Sequence, residues 1–493
     1  MKKILSLFLC AVCLFSLASV SQGSVLAAGE KPAANAAEVP KLFIDTVNGN
    51  GASLEKADGY TDAHIKITDS GNTEADEDVV VKVRGNSTAM AQKKSFTFKF
   101  SKKRDVLGMG KGKKWVLLAN PFDPTLLRNF VMFDFADELG IAYTSRQKIV
   151  ELWLDGSFRG CYTLMEPVQD GKDRVDIDTD GNRDFMLEYE RLRTDDDTTY
   201  VTSNSGLRFG ISAPDEPDDG QVAYISDTLN RICDVISYGS RGEIESAVDI
   251  ESFAKFYVLN EFAKTNDFNF SSVFFYYKDG KFYAGPPWDY DLSTGNENEE
   301  FSANSKSAIQ TEGLQIADKL FYKQLFTYDW FVLEARRELA RHFGYIENIG
   351  AEGGLIDSLA AEYADVFNRN YTDAGWTIRY QINVMKYPLP TYEENLVYFR
   401  NWCRERSDWL RDYFEVDSLR YLVGDSDGSG VIDVNDVTQL QNLLAELTGD
   451  PDGKIALRGG VTGSAPSIAD ATAIQKYLAD IKTAYPVGEY AVM

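Results

Sequence analysis

Residues Asn260 to Gly295 read NEFAKTNDFNFSSVFFYYKDGKFYAGPPWDYDLSTG. The aromatic run Val273 to Tyr277 predicts a strand, the Asp279-Gly280 pair favours a tight hairpin turn, and Phe282 to Ala284 predicts the returning strand. Acids flank this hairpin: Asp267 stands before it, and Asp289 and Asp291 follow it in the run Trp288-Asp289-Tyr290-Asp291. A hairpin brings its two ends together, so the three carboxylates are expected near one edge of a sheet, where a divalent cation and a reacting hydroxyl can meet. Phosphoryl transfer asks for such a place, because metal offsets phosphate charge and a carboxylate orients the nucleophile. Taken singly, each acid also fits a cap or a turn, roles that Asp fills often.

Outward from this stretch, composition narrows the choice. The chain has 493 residues, enough for two or more domains, and its 44% hydrophobic and 13% aromatic content supports a large core. A net charge of −25 opposes binding to nucleic-acid phosphates and suits divalent cations and an extracellular setting. Residues 1–28 have the form of a secretory signal: Lys2-Lys3, the apolar run Ile4 to Val20, and Val25-Leu26-Ala27-Ala28 as a small-residue cleavage site. No other stretch is long and apolar enough to span a bilayer. Past that signal, Cys161, Cys233 and Cys403 lie in apolar contexts and are odd in number, which predicts buried free thiols. The two histidines, His64 and His342, have no His or Cys neighbours, so the chemistry falls to carboxylates, Lys and Arg.

Residues 29–40 read as a linker, and 41–416 as one domain of α+β class, with an antiparallel strand-rich first half and a helical second half. Strands are expected at Leu42–Thr46, His64–Ile67, Val79–Arg84, Lys93–Phe100, Lys148–Leu154, Phe158–Met165 and Phe185–Tyr189, and helices over Leu126–Leu139, Tyr224–Tyr238, Ile250–Phe262, Tyr322–Phe343, Gly354–Arg369 and Glu393–Phe414. Asp123-Pro124 suits an N-cap and first helical position. Acidic loops at Asp170–Asp180 and Thr194–Thr198 read as solvated, and Trp376–Tyr387 as an unassigned aromatic connection.

The order of acid, hairpin and WDYD resembles the spore coat protein H (CotH) family of atypical kinases, and Arg84-Gly85-Asn86-Ser87-Thr88 followed by KKSFTFKF at 93–100 resembles that family's opening pattern. The resemblance spans roughly residues 42–415. It implies that Asp267 acts on the acceptor hydroxyl, that Asp289 with Asp291 holds Mg²⁺, and that Ser272 rather than Asn269 adds a metal contact. It also implies that the RGNST segment covers ATP, with Arg84, Lys93 and Lys94 as phosphate contacts and Glu166 beside the nucleotide. Read without the resemblance, the same residues make a hairpin with a solvated basic edge and a strand-end charge; alternation puts Lys94 on the opposite face from Lys93.

Residues 417–493 form a second module. Asp425, Asp427, Ser429, Asp433 and Asp436 occupy calcium-loop positions, with Gly430 at the sharp turn and Val431 offering its carbonyl. A helix follows at Val437–Leu447 and no entering helix precedes the loop, which resembles a type I dockerin; that implies a small all-α domain binding Ca²⁺ and the cohesin domain of a scaffoldin. A second copy lies 34 residues on, with Ser467–Leu478 as its helix, but Gly459, Val461 and Gly463 stand where ligands belong.

Together these features describe a secreted, scaffold-docked kinase that moves the γ-phosphoryl of ATP to Ser or Thr of a protein. Two rivals stand beside it: a noncatalytic structural module of a cellulosome-type complex, and a polysaccharide hydrolase using two carboxylates such as Glu261 and Asp289.

Overall fold

The computed structural model describes residues 38–181, 183–191, 198–463 and 465–493. The expected signal at 1–28, most of the 29–40 linker and nearly all of the 194–198 loop lie outside them.

Seven strands close into a barrel in the order β1-β2-β3-β4-β5-β7-β6. They are β1 (Lys41–Thr46), β2 (Thr61–Asp69), β3 (Asn72–Arg84), β4 (Ser95–Asp105), β5 (Lys111–Leu118), β6 (Gln147–Leu154) and β7 (Ser157–Met165). Period-2 alternation builds the interior: Val79, Val81 and Val83 of β3 meet Phe96, Phe98 and Phe100 of β4 inside, so Lys82, Arg84 and Thr97 belong to the outer face. Every pairing is antiparallel except β1 with β6, whose parallel seam closes the barrel.

A second sheet has the order β12-β11-β8-β10-β9, built from β8 (Phe185–Tyr189), β9 (Tyr200–Thr202), β10 (Arg208–Ala213), β11 (Val273–Lys278) and β12 (Lys281–Ala284). The expected hairpin is β11–β12, with Lys278 paired to Lys281. β11 also pairs antiparallel with β8, so the hairpin forms one end of the sheet with β12 as its edge strand.

Helices follow the strands, giving the expected α+β order. The helices Asp219–Tyr238, Ile250–Ala263, Asp329–Arg341 and Tyr392–Tyr413 share one core with the second sheet. Asp249 caps the second of these, accepting the Ser252 N–H at 2.9 Å. The helix expected from Leu126 starts at Arg128; Asp123 still receives the Arg128 backbone N–H, at 2.7 Å, across an intervening turn. Cys161, Cys233 and Cys403 are buried and free. No helix among the described residues is long and apolar enough to cross a membrane.

The tail is not all helical. Its first strand β13 (Arg420–Leu422) pairs antiparallel with β14 (Tyr490–Val492), two three-residue segments too short to carry a periodic signal. Between them the helices Val434–Leu444, Lys454–Gly459 and Ile468–Leu478 enclose a small core that includes Leu440 and Ile474. Val492 packs against the main core, so the tail is clasped to the helical half rather than strung from it.

Candidate active site

The helix Ile250–Ala263 stops at Lys264, which takes a left-handed φ of 46° and donates its N–H to the Asn260 carbonyl at 2.9 Å. The chain then makes the short turn Asn266–Asn269, which carries Asp267, and enters β11. On the far side of the hairpin, Tyr290 is the anchor. It is buried with its edge against Phe133, its N–H donates to Asn129 Oδ1 at 2.7 Å and its hydroxyl to Asn260 Oδ1 at 3.2 Å. With Tyr290 held in the core, its neighbours Asp289 and Asp291 line a cleft. Ser272 and Asp289 both hold left-handed φ angles, 63° and 65°, a strained choice for non-glycine residues that recurs at functional sites.

The cleft has a volume of about 1300 Å³ and lies between the outer face of the barrel and the second sheet. The barrel contributes cations, Lys82, Arg84 and Lys114, and the register sets Lys82 across from Thr97 and Thr97 across from Val116, all lining the same wall. The other side contributes Asp267, Asp289 and Asp291, with Glu188 and Glu190 from β8 and its end. Arg84 stacks its guanidinium 5.1 Å over Trp288, and its Nη1 is buried with no hydrogen-bond partner among the described residues. Gly85 makes the turn possible: its φ is +98°, and a Cβ there would meet Thr88 Oγ1 at 1.8 Å.

The carboxylates are crowded. Burial pushes Asp267 up to about 8, and the charges of Asp289 and Glu190 push the same way. Burial also raises Asp289, with Arg84 opposing, and raises Asp291 well above the carboxylate range, helped by Asp289 and Asp267. Glu297, fully buried behind them, is raised by burial and then by Asp267. Ser272 Oγ lies 3.5 Å from Asp289. Oxygen donors in a low dielectric, short of positive charge, suit a hard divalent cation, and the unpartnered Arg84 nitrogen suits a phosphate oxygen. The residues present therefore fit Mg²⁺ and a polyphosphate.

Several expected ligands stand elsewhere. Lys93 is buried beneath the barrel wall; it donates to the Ala119 carbonyl at 3.0 Å, to Asn370 Oδ1 at 2.8 Å and to the Cys161 carbonyl, tying the barrel to the helical half. Lys94 pairs with Glu55 at 2.8 Å and with the Ala89 carbonyl at 2.9 Å. Neither lysine lines the cleft. The buried carboxylate of Glu166 is held by Arg146 at 2.7 Å and by Arg174, so it serves as a strut although Met165 and Pro167 beside it do line the cleft. Asn269 spends its side chain on the Asn266 carbonyl. Glu261 forms a fully buried ion pair with Arg406 at 2.8 Å and accepts the N–H groups of Gln315 and Ile316, so no polysaccharide reaches it. The sequence reading missed Lys82, Lys114, Glu188, Glu190 and Glu297. Lys82 was within reach, two residues before Arg84 on the same strand face; the rest need the strand register or the fold.

A second acidic centre lies in the tail. Carboxylate oxygens of Asp425, Asp427 and Asp436 all fall within 4.8 Å of one another, the one such group of three acids or other metal-binding side chains among the described residues. Asp425 accepts the N–H groups of Ser429 and Gly430, each at 2.9 Å, and Asp436 those of Asp427 and Asp433, at 3.1 and 2.7 Å. Ser429 Oγ donates to the Val431 carbonyl at 3.0 Å. Asp433 caps the helix that follows, accepting from Asn435 N at 2.6 Å. In the second copy Asp470 stands alone, and backbone donors such as Thr462 N–H, at 2.7 Å, hold it.

No curated protein matches the chain. No dockerin domain is detected in the tail. A family model described as CotH kinase protein matches residues 81–410, about two thirds of the chain, a span that contains Arg84, Asp267 and the WDYD run, and the chain belongs to this kinase family.

Proposed function

We propose that the cleft transfers the γ-phosphoryl group of ATP to a Ser or Thr hydroxyl of a protein acceptor. One observation carries the reading: in a chain of this family, a cationic barrel wall faces a set of buried, charge-starved carboxylates across a single cleft. Asp289 and Asp291, with Ser272 beside them, would hold Mg²⁺, which when bound offsets the charge of the phosphates. Arg84 and Lys114 take the phosphate oxygens, and the strained backbone at Asp289 keeps its carboxylate in place before ligand arrives. Asp267 orients the acceptor hydroxyl and takes its proton as the new O–P bond forms and ADP departs. Burial first, and then the charges of Asp289 and Glu190, hold Asp267 up; positive charge near Asp289 and Asp291 offsets both, so Asp267 becomes a base when the cleft is loaded.

The tail supports a separate reading: a calcium-stabilised docking module of dockerin type that attaches a secreted enzyme to a cohesin-bearing scaffold. It rests on the converging oxygens of Asp425, Asp427 and Asp436. Incubation with Mg²⁺ and γ-labelled ATP tests the kinase reading. Label should pass to protein with the native chain and not with Asp267→Ala. Absence of nucleotide binding at millimolar ATP would instead mark a noncatalytic module.

A further inference from the structure

The loop that follows the WDYD run is polar and dry. Ser293, Thr294, Asn296 and Glu297 are buried, as are Asn266 and Ser305 beside Glu297. Packing alone would favour apolar side chains here, because a buried polar group costs free energy unless it is hydrogen-bonded. The polar groups of this loop are spent on the two segments that carry the acids. The Thr294 N–H donates to the Ala263 carbonyl at 2.7 Å, at the end of the helix that leads to Asp267. Asn296 Nδ2 donates to the Asp291 carbonyl at 2.7 Å and to the Phe122 carbonyl at 2.8 Å.

Glu297 reaches the other way. Its Oε2 accepts from Asn266 Nδ2 at 3.3 Å, and Asn266 is the residue before Asp267. The same Nδ2 donates to Ser305 Oγ at 3.2 Å, the Asn266 carbonyl accepts from Asn269 Nδ2 at 3.0 Å, and the Asn266 N–H donates to the Leu292 carbonyl at 3.4 Å. Asn266 is thus the node where the Asp267 turn, the segment after Asp291 and Glu297 meet. Glu297 Oε1 has no hydrogen-bond partner among the described residues. Burial, and then the charge of Asp267, outweighs the hydrogen bonds from Ser305 and Asn266 and keeps a proton on this carboxyl. An uncharged acid can accept from Asn266 without adding a further negative charge to Asp267, Asp289 and Asp291. Neither Asn296 nor Glu297 lines the cleft.

We propose that Asn296 and Glu297 are positioning residues that set the spacing between the two ends of the reaction. Asn296 fixes Asp291 on the metal side, and Glu297, through Asn266, fixes Asp267 on the acceptor side. This rests on the kinase reading and adds a division of labour within one dipeptide. In-line transfer tolerates little slack: a misplacement of about 1 Å costs on the order of 100-fold. Slack on the acceptor side also admits water, whose oxygen then forms the new O–P bond in place of the hydroxyl, so that free phosphate leaves instead of phosphoprotein while ADP departs as before.

The test incubates the full chain with Mg²⁺ and γ-labelled ATP and counts two products, labelled protein and free phosphate. Glu297→Ala should lower transfer to protein about 100-fold, raise the share of label lost to water, and leave the calorimetric affinity for Mg-ATP unchanged. Glu297→Gln keeps the shape and an accepting oxygen without charge, so it should restore transfer to within about threefold of native. Asn296→Ala should instead raise the Mg²⁺ concentration for half-maximal transfer about tenfold, an effect that Glu297→Ala should lack. A merely structural role would lower both products in proportion and would not split metal from acceptor. Native transfer by Glu297→Ala, a Glu297→Gln variant as poor as Glu297→Ala, or the same Mg²⁺ requirement in all variants overturns this inference and leaves the kinase reading standing. Failure of the native chain to transfer label at all overturns both.

Discussion

The two acidic centres solve one problem, gathering like charges, in opposite ways. In the tail loop three carboxylates converge within 4.8 Å, and backbone N–H groups from Asp427, Ser429, Gly430 and Asp433 already face them. In the cleft, Asp267, Asp289 and Asp291 do not converge so closely, and burial raises all three. Across from them stand Arg84 and Lys114. The difference bears on what each centre suits: three converging carboxylates in the loop match a cation alone, whereas the proposed role of the cleft joins a cation to a polyanion that spans both walls.

Substitutions can break this contrast. The largest expected effect is on transfer: Asp267→Asn should lower kcat by about 10³-fold and leave calcium binding by the tail unchanged. Next, Asp425→Ala should weaken calcium binding on the order of 100-fold, measured by calorimetry, with phosphoryl transfer intact. A loss of transfer on Asp425→Ala would mean that the two centres are coupled through the β13–β14 clasp. Arg84→Met should raise the KM for Mg-ATP about tenfold, because a charge-assisted contact to phosphate is lost while the carboxylates remain.

The smallest effect sharpens the contrast through pH. Asp267 rises from 3.8 to about 8 in the folded chain, so the folded state keeps a proton that the unfolded state has released. The resulting stability is fully present below the ordinary value and is lost as pH climbs through about 8. Without divalent cation, Tm should therefore fall by about 2–4 °C between pH 5 and pH 8. Asp267→Asn should flatten that slope, and so should saturating Mg²⁺. A slope unchanged in the variant would assign the pH dependence to other groups.

Local pattern carried much of this structure. The β11–β12 hairpin and the acids on either side of it follow from spacing and alternation, and in the tail loop three of the expected residues, Asp425, Asp427 and Asp436, come together. What the sequence concealed is long-range. Lys93 looks like a phosphate ligand until Asn370, far along the chain, takes its ammonium. Glu261 looks like an available acid until Arg406 buries it, and Glu166 until Arg146 and Arg174 do the same. Lys114 enters the site because β5 lies beside β4 in a register that no local signal announces. Charged residues next to a motif thus divide into ligands and struts only when distant partners are known.

The central claim is that Asp289 and the cationic wall act together on one magnesium-bound nucleotide. Calorimetric titration of ATP into the full chain, with and without Mg²⁺, tests it most directly. Binding should be seen with Mg²⁺, weaken at least tenfold without it, and weaken equally in Asp289→Asn. Equal affinity in the presence and absence of Mg²⁺, or an Asp289→Asn variant that binds as the native chain does, would contradict the account.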